Sequence, residues 1–349
     1  MILINIEKNQ LTSHKESDEF IMRPLNIKKD YDELIPFYDK IFKKELSAKG
    51  ISVKAFLDEF KSLLPFLKII GLFSKNYRHV FDGFVYENNQ GKIVSTVNIG
   101  YSGNFWEIAM VATHHEYRRK GLAKKLVLKS IEHAKNNNAK LCVLEVLEEN
   151  EPAYNLYKNL GFQHFDTRYK LRLDKGNISS ITQKELPDDY QIQKRKQDKQ
   201  TGKEMIALEE RTTPKEVLEF FPVNKIKYQK SLIIRLIRPI MKLFIRKRSN
   251  RWNIYHHTSL VGILYADVGR SENDCNSIDI IIDQEHQEKL TNPVINFALE
   301  YIKQSTSLDL VTITDVRKND NHLKQALENF GFNIYETDHI LGLKIKNKI

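Results

Sequence analysis

The sequence predicts a mixed α/β protein made of two tandem copies of one fold. Two observations carry the prediction. Residues 106–162 read in order as a strand, a basic glycine turn, an amphipathic helix, a second strand and a second short helix. Much of that pattern recurs downstream. Residues 126–135 line up with 294–303, and Leu156-Tyr157-Lys158-Asn159-Leu160-Gly161-Phe162 lines up with Ala326-Leu327-Glu328-Asn329-Phe330-Gly331-Phe332, with only a two-residue insertion between the blocks.

At 349 residues the chain is long enough for two cores of ordinary size. It is 41% hydrophobic and 29% charged, the balance of a globular protein rather than a disordered or fibrous one. No apolar run approaches the ~18 residues of a membrane span, and the first residues lack the pattern of a secretory signal, so a cytoplasmic protein is expected. Two cysteines, Cys142 in a strand pattern and Cys275 in a polar stretch, make neither a disulfide framework nor a metal site, and no metal is expected.

In chain order, residues 1–18 read as a polar leading arm. Residues 20–24 form a first strand and 31–42 a first helix. A second helix follows over 53–72, with apolar Phe56, Phe60, Leu63, Leu64, Leu67 and Ile70 on one face and a kink or break at Pro65. Residues 79–86 and 92–101 flank Glu87-Asn88-Asn89-Gln90-Gly91, which signals a hairpin. The strand 107–113 then leads through His114 and His115 to Arg118-Arg119-Lys120-Gly121-Leu122-Ala123.

From Leu122 the apolar positions Leu126, Val127, Ile131 and Ala134 recur at helical spacing, so a helix begins inside this basic turn. Glycine allows close backbone approach to a ligand, and the unpaired N–H groups of a helix start attract anions. With Arg118, Arg119 and Lys120 beside it, a pyrophosphate suits the turn. Taken alone, the six residues fit an ordinary basic loop capped by Gly121 equally well. Residues 141–146 are the next strand, Pro152 opens the next helix, Gly161 stops it, and 169–173 close the first copy as its last strand. Residues 174–189, rich in turn formers, mark the boundary, giving domains over 1–175 and 185–349.

The combination R-x-x-G-x-A, a helix, and L-E-V-x-x-x-N-x-x-A-x-x-L-Y-x-x-L-G-F closely resembles the GNAT superfamily of acetyl-CoA-dependent N-acetyltransferases. The resemblance implies two tandem GNAT folds, each a mixed, mostly antiparallel sheet flanked by helices, with the fourth and fifth strands splayed around the pantetheine arm of acetyl-CoA. By matching position, Val111, Ala112 and Thr113 pair with the pantetheine. Arg118, Arg119, Lys120, Gly121, Leu122 and Ala123 cradle the pyrophosphate, and Asn150 holds the arm.

Acetyl transfer to an amine needs a neutral nucleophile, a stabilised oxyanion and a proton for the leaving thiolate. Tyr157, a phenol protonated at neutral pH, is the candidate acid, as the family commonly uses this position. Glu107 is the candidate base, directly or through water. Glu145, on the family's substrate-facing strand, is a candidate contact for the acceptor amine. His114 and His115 read as loop residues. The first two roles have structural alternatives, a packed tyrosine and a solvated strand-end carboxylate, and alternation turns Glu145 to a different face from Leu144 and Val146.

The second copy departs where the chemistry would occur. His286-Gln287-Glu288-Lys289-Leu290-Thr291 stands against residues 118–123, with no glycine and with Glu288 where phosphate would be repelled. Asp320 replaces Asn150 and Leu327 replaces Tyr157, so this copy is expected to keep the fold and to have lost cofactor binding. Between Lys225 and Arg251 lie ten basic residues and no acidic one: Lys225, Lys227, Lys230, Arg235, Arg238, Lys242, Arg246, Lys247, Arg248 and Arg251. They equal the whole formal excess of +10. The segment reads either as a core helix with a solvated basic face or as a patch for an anionic membrane or nucleic acid. Two rival functions stay open, an acetyl-CoA sensor without turnover and an aminoacyl-tRNA-dependent transferase using this segment.

Overall fold

The computed structural model describes residues 19–58, 61–62, 65, 79, 82–103, 105–176, 185–195, 198–223, 225–228 and 248–345. The leading arm 1–18, most of the second helix after residue 58, the centre of the boundary at 177–184 and the basic helix within 229–247 lie outside them.

β1 (Phe20–Pro24) leads into α1 (Ile27–Ala48). The helix is longer than the periodicity suggested because Asn26 caps it, its side chain accepting from Lys28 N and Lys29 N. Arg23 ties the two elements together, with Nη2 2.7 Å from Asp30 Oδ1 and 2.6 Å from Glu87 Oε1. β2 (Asp82–Asn88) and β3 (Ile93–Tyr101) form the expected hairpin. The Asn88 side chain accepts from Gln90 N and Lys92 N, and Gly91 supplies the left-handed φ of +72°. Then come β4 (Trp106–Thr113), α2 (Leu122–Asn136), β5 (Leu141–Leu147), α3 (Glu151–Asn159) and β6 (Gln163–Leu173).

The second half repeats the order. It contains β7 (Tyr190–Lys194), α4 (Lys199–Thr212), α5 (Lys215–Phe220), the short α6 (Lys225–Tyr228), β8 (Arg248–His256), β9 (Ser259–Val268) and β10 (Asn276–Ile282). It ends with α7 (Gln287–Ser305), β11 (Thr312–Arg317), α8 (Asn321–Asn329) and β12 (Asn333–Lys344). The cores correspond residue by residue. Leu126, Val127, Tyr157 and Phe162 pack in one, and Val294, Ile295, Leu327 and Phe332 hold the matching places in the other.

The two sheets are fused. Among the described residues all strands belong to one 12-stranded sheet in the order β1-β2-β3-β4-β5-β12-β6-β11-β10-β9-β8-β7, and only β4–β5 and β10–β11 are parallel pairs. The last strand of each half is exchanged. β12 lies against β5, with Ile340 opposite Glu145, while β6 lies against β11, with Lys170 opposite Asp315. The strand read as closing the first copy at 169–173 therefore begins earlier, at Gln163, and completes the second half instead. β6 and β12 pair with each other at the middle of the sheet.

Aromatic residues lock this seam. Phe165 on β6 stacks on Phe220 of α5 at 4.9 Å, and Phe105, just before β4, meets Phe221 at 4.5 Å. Gly342 on β12 lies beneath Phe220, where a Cβ would come within 2.5 Å of the ring, so only glycine fits.

Candidate active site

β4 and β5 pair only at their starts, Trp106 with Cys142 and Glu107 with Val143. Beyond that point they diverge. On its other side β4 is held by β3, but a bulge intervenes, with Thr96 opposite Ala112 and Asn98 opposite Ala109. Met110 sits in the bulge with φ +51°, a left-handed conformation that a side chain adopts only when its surroundings impose it. Val111, Ala112 and Thr113 follow it along the open flank of the splay. Ser95 Oγ donates to the Ala112 carbonyl at 2.8 Å and thereby fixes this flank from the β3 side.

A short 3₁₀ turn, His115–Tyr117, carries the chain out of β4. Arg118, Arg119, Lys120 and Gly121 are exposed, Arg119 has φ +66° and Gly121 has φ +77°. Gly121 is the N-cap residue of α2, and no side chain hydrogen-bonds the first-turn N–H groups. A Cβ on Gly121 would meet nothing within 4 Å. Glycine is needed there for backbone conformation, and the space before the bare helix start is open, so residues 118–123 fit a bound phosphate. Lys120 leans away from it, its Nζ 2.6 Å from Glu19 Oε1 and 5.0 Å from the Phe20 ring centroid.

Glu107 and Glu145 are reached by water yet closely flanked by protein, Glu145 being 47% exposed. Burial, then repulsion by Glu145, raises the Glu107 pKa above the usual carboxylate value. Burial also raises Glu145, with Lys170 and Arg168 pulling the other way. Tyr157 on α3 is buried against Phe162, which pushes its phenol up to about 12, and its hydroxyl has no hydrogen-bond partner among the described residues. Asn150 caps α3, its Oδ1 accepting from Ala153 N at 3.3 Å. Burial likewise pushes the Cys142 thiol up to about 12, so it is an inert core residue.

Glu145 also belongs to a network that periodicity does not disclose. Lys170 Nζ lies 2.6 Å from Glu336 Oε1 and 3.8 Å from Glu145 Oε2, and it pairs closely with Asp338. Glu45, near the end of α1, adds a carboxyl raised to about 7 by burial and then by the Glu336 charge. Lys170 and Asp338 reach Glu145 only because β6 and β12 cross between the halves. Pairing 170 with 336 and 338 required the topology, which no local signal encodes.

His79, Asp82 and His133 form a separate group near Trp106. His79 Nδ1 and His133 Nε2 lie 2.7 and 2.9 Å from the same Asp82 oxygen, hydrogen-bond distances that link α2 to β2. Burial opposes ionisation of Asp82, but the bonds from His133 and His79 outweigh it and its pKa lies below the ordinary value. The rings of His114 and His115 lie 4.3 Å apart, tilted to each other, beside Glu116 at the start of the 3₁₀ turn. Of the basic segment, Lys225, Arg248 and Arg251 are described; Arg251 lies over the Tyr265 ring at 5.0 Å. No helix among the described residues is long and apolar enough to cross a membrane.

In the second half the equivalent of the glycine turn is wound into helix. α7 starts at Gln287, three residues ahead of Leu290, the counterpart of Leu122, and its 3₁₀ turn at Gln284–His286 runs straight into it. Asp320 caps α8 as Asn150 caps α3.

Residues 51–162, which hold the splay and the bare helix start, match the model of the acetyltransferase (GNAT) family. This part of the chain belongs to the GNAT superfamily. Over 67 residues the chain is 40% identical to N-alpha-acetyltransferase 30 of Schizosaccharomyces pombe, a match covering 19% of this chain and 45% of that protein. Over another match, of 98 residues, it is 30% identical to the uncharacterized N-acetyltransferase YobR of Bacillus subtilis, covering 25% of this chain and 38% of that one. The chain thus spans less than half the length of these curated relatives.

Among solved structures, a tandem GNAT protein from the clavulanic acid biosynthesis pathway matches 95% of this chain and 100% of its own, with TM-score 0.58 at 12% identity. A GCN5-related N-acetyltransferase from Sphaerobacter thermophilus matches 95% and 97%, with TM-score 0.61 at 9% identity. At such identities the likeness is one of fold, and it extends over both halves of the chain.

Proposed function

We propose that the protein is an acetyl-CoA-dependent N-acetyltransferase acting on a primary amine, with the cofactor held by the first half alone. The observation that carries this reading is the coincidence of two features on consecutive elements: β4 leaves β5 after Glu107, and the chain then turns at Gly121 into a helix start that no side chain caps. An extended arm fits the first and its phosphates the second.

In this reading residues 118–123 hold the pyrophosphate and Val111, Ala112 and Thr113 the pantetheine. Bound there, acetyl-CoA supplies the activated acetyl thioester. The acceptor enters beside Glu107 and Glu145. Glu107, whose raised pKa makes it a stronger base than an ordinary carboxylate, takes the proton of the incoming ammonium directly or through water. Glu145 orients the amine. Tyr157 keeps its proton at Oη throughout the neutral range and donates to the departing sulfur. The wound start of α7 and Glu288 argue that residues 185–349 carry a degenerate copy whose task is to complete the first half.

Calorimetric titration of acetyl-CoA into the full chain and into Gly121→Glu tests the reading. One equivalent that vanishes in the variant is the expected result. Two equivalents overturn the one-copy assignment, and none overturns the cofactor assignment.

A further inference from the structure

The second half keeps a splay of its own. β10 and β11 pair only at Asn276–Thr312 and Ser277–Ile313, the same short extent as β4 and β5. A cavity of about 770 Å³ lies along their diverging faces.

Its wall separates charge. Arg168 on β6 and Arg317 on β11 stand directly opposite each other and both line the cavity. Both point Nε at the same Asp166 oxygen, at 3.4 and 3.3 Å, so two guanidiniums share one carboxylate and one positive charge is left over. Neither guanidinium makes another hydrogen bond among the described residues, and their Nη groups remain as donors. Burial, then the nearby Arg168 charge, holds Arg317 below its ordinary pKa, as expected of a cation short of anions.

Asp279 on β10 and Asp315 on β11 line the same cavity and repel each other, while burial raises Asp315. The positive groups bearing on Asp315 are Lys170, Arg168 and Lys49. Other charged groups of the lining are already engaged. Arg211 Nε is 2.6 Å from Asp283, Glu209 accepts from Tyr228 Oη at 2.5 Å, and Asp320 caps α8. Phe221, Pro214 and Val223 supply an apolar wall.

We propose that this cavity binds a small zwitterion of the amino-acid type, its carboxylate on the Nη donors of Arg168 and Arg317 and its ammonium between Asp279 and Asp315. Bidentate guanidinium recognition suits a carboxylate, and the facing carboxylates complement a cation. A polyanion such as a nucleotide is disfavoured by the same carboxylates. The cavity borders the first half through Phe105 and Arg168, the latter also bearing on Glu145, but the proposal does not rest on the proposed acetyl transfer.

The test is calorimetric titration of the full chain with the standard α-amino acids, each compared with its methyl ester and its N-acetyl form, which lack one charge. At least one amino acid is expected to bind one to one, with both blocked forms and Arg317→Leu weaker by about tenfold or more. Because Arg317→Leu also strips Asp166 of a partner, two milder variants decide the matter: Asp279→Asn, at an exposed position, and Ser277→Phe, which fills the cavity from β10. Both are expected to lose binding. The proposal is overturned if no amino acid binds, if the blocked forms bind as well, or if both milder variants bind unchanged. Binding that survives Ser277→Phe but disappears in Glu107→Gln belongs to the first half and overturns it too.

Discussion

Arg168 and Asp338 face each other across β6 and β12, and each holds in its own half the position that the other holds in the second. The helix–glycine blocks at 156–162 and 326–332 are offset by 170 residues, and 338 follows 168 by the same interval. The pair marks the pivot about which the halves exchange their last strands. Each core is thereby closed by a strand belonging to the other.

Fragments ending at Gly176 or starting after it should fail separately. The first would expose the edge of β5 and carry β6 without a partner, a combination prone to aggregation. Co-expressed, the two pieces should associate one to one. Size-exclusion chromatography checks this; a monodisperse folded N-terminal fragment would contradict the exchange.

Lys170→Met should destabilise the chain by about 3–5 kcal/mol, because it strands carboxylates that are largely buried, Asp338 at 4% and Glu336 at 8% exposure. Replacing Glu336 and Asp338 by Gln and Asn in the same chain should recover part of the loss. Urea unfolding measures both.

Tyr157→Phe should lower kcat about 100-fold while leaving the acetyl-CoA Kd unchanged, since it removes a proton donor and little packing. With the phenol pushed up to about 12, the wild type should show no alkaline limb from this group at ordinary assay pH. Unchanged turnover in the variant would remove the role.

The acid limb of kcat/KM should lie above the ordinary carboxylate value of 4.5, because burial and Glu145 both raise Glu107. Activity is lost as pH falls through that value and the base becomes protonated. Glu145→Gln removes a neighbouring negative charge and should move the limb to lower pH, whereas Glu107→Gln should abolish it with a fall in rate of about 100-fold.

Glu45 should make stability fall with pH. Its pKa, raised from 4.5 to about 7, means that the folded protein binds more protons than the unfolded chain between those values. Stability is therefore greatest below about 4.5 as regards this group, declines through about 7, and is constant above, the total change being on the order of 2 kcal/mol once the ~3 kcal/mol equivalent of the shift is discounted for solvent screening of a partly exposed group. Glu45→Gln should flatten this part of the profile in thermal melts run across the range.

The local geometry of the glycine turn and of its two helices was legible because it is local. Gly121, the spacing from Leu122 to Ala134, and Tyr157 four residues before Gly161 constrain one another through a single helix or turn. The duplication was legible because the buried positions of α2 and α7 keep their spacing. The partner of β6 was not legible, since the alternation within 163–173 is the same whichever strand lies beside it. Hence Lys170, with Glu336 and Asp338 paired to it and Glu45 beyond them, escaped notice. Asn150 was read for a ligand, but its position before Glu151-Pro152 also signals the N-cap it supplies.

The exchange also imposes an order on synthesis. β12 follows every other strand of the sheet in the chain, yet it is the one laid against β5. As the polypeptide emerges, the half with the bare helix start is made first and finished last. Its sheet edge waits on the ribosome until some two hundred later residues, from 148 to the end of β12 at Lys344, have been added. A premature stop anywhere ahead of β12 leaves β5 without the neighbour that covers its edge.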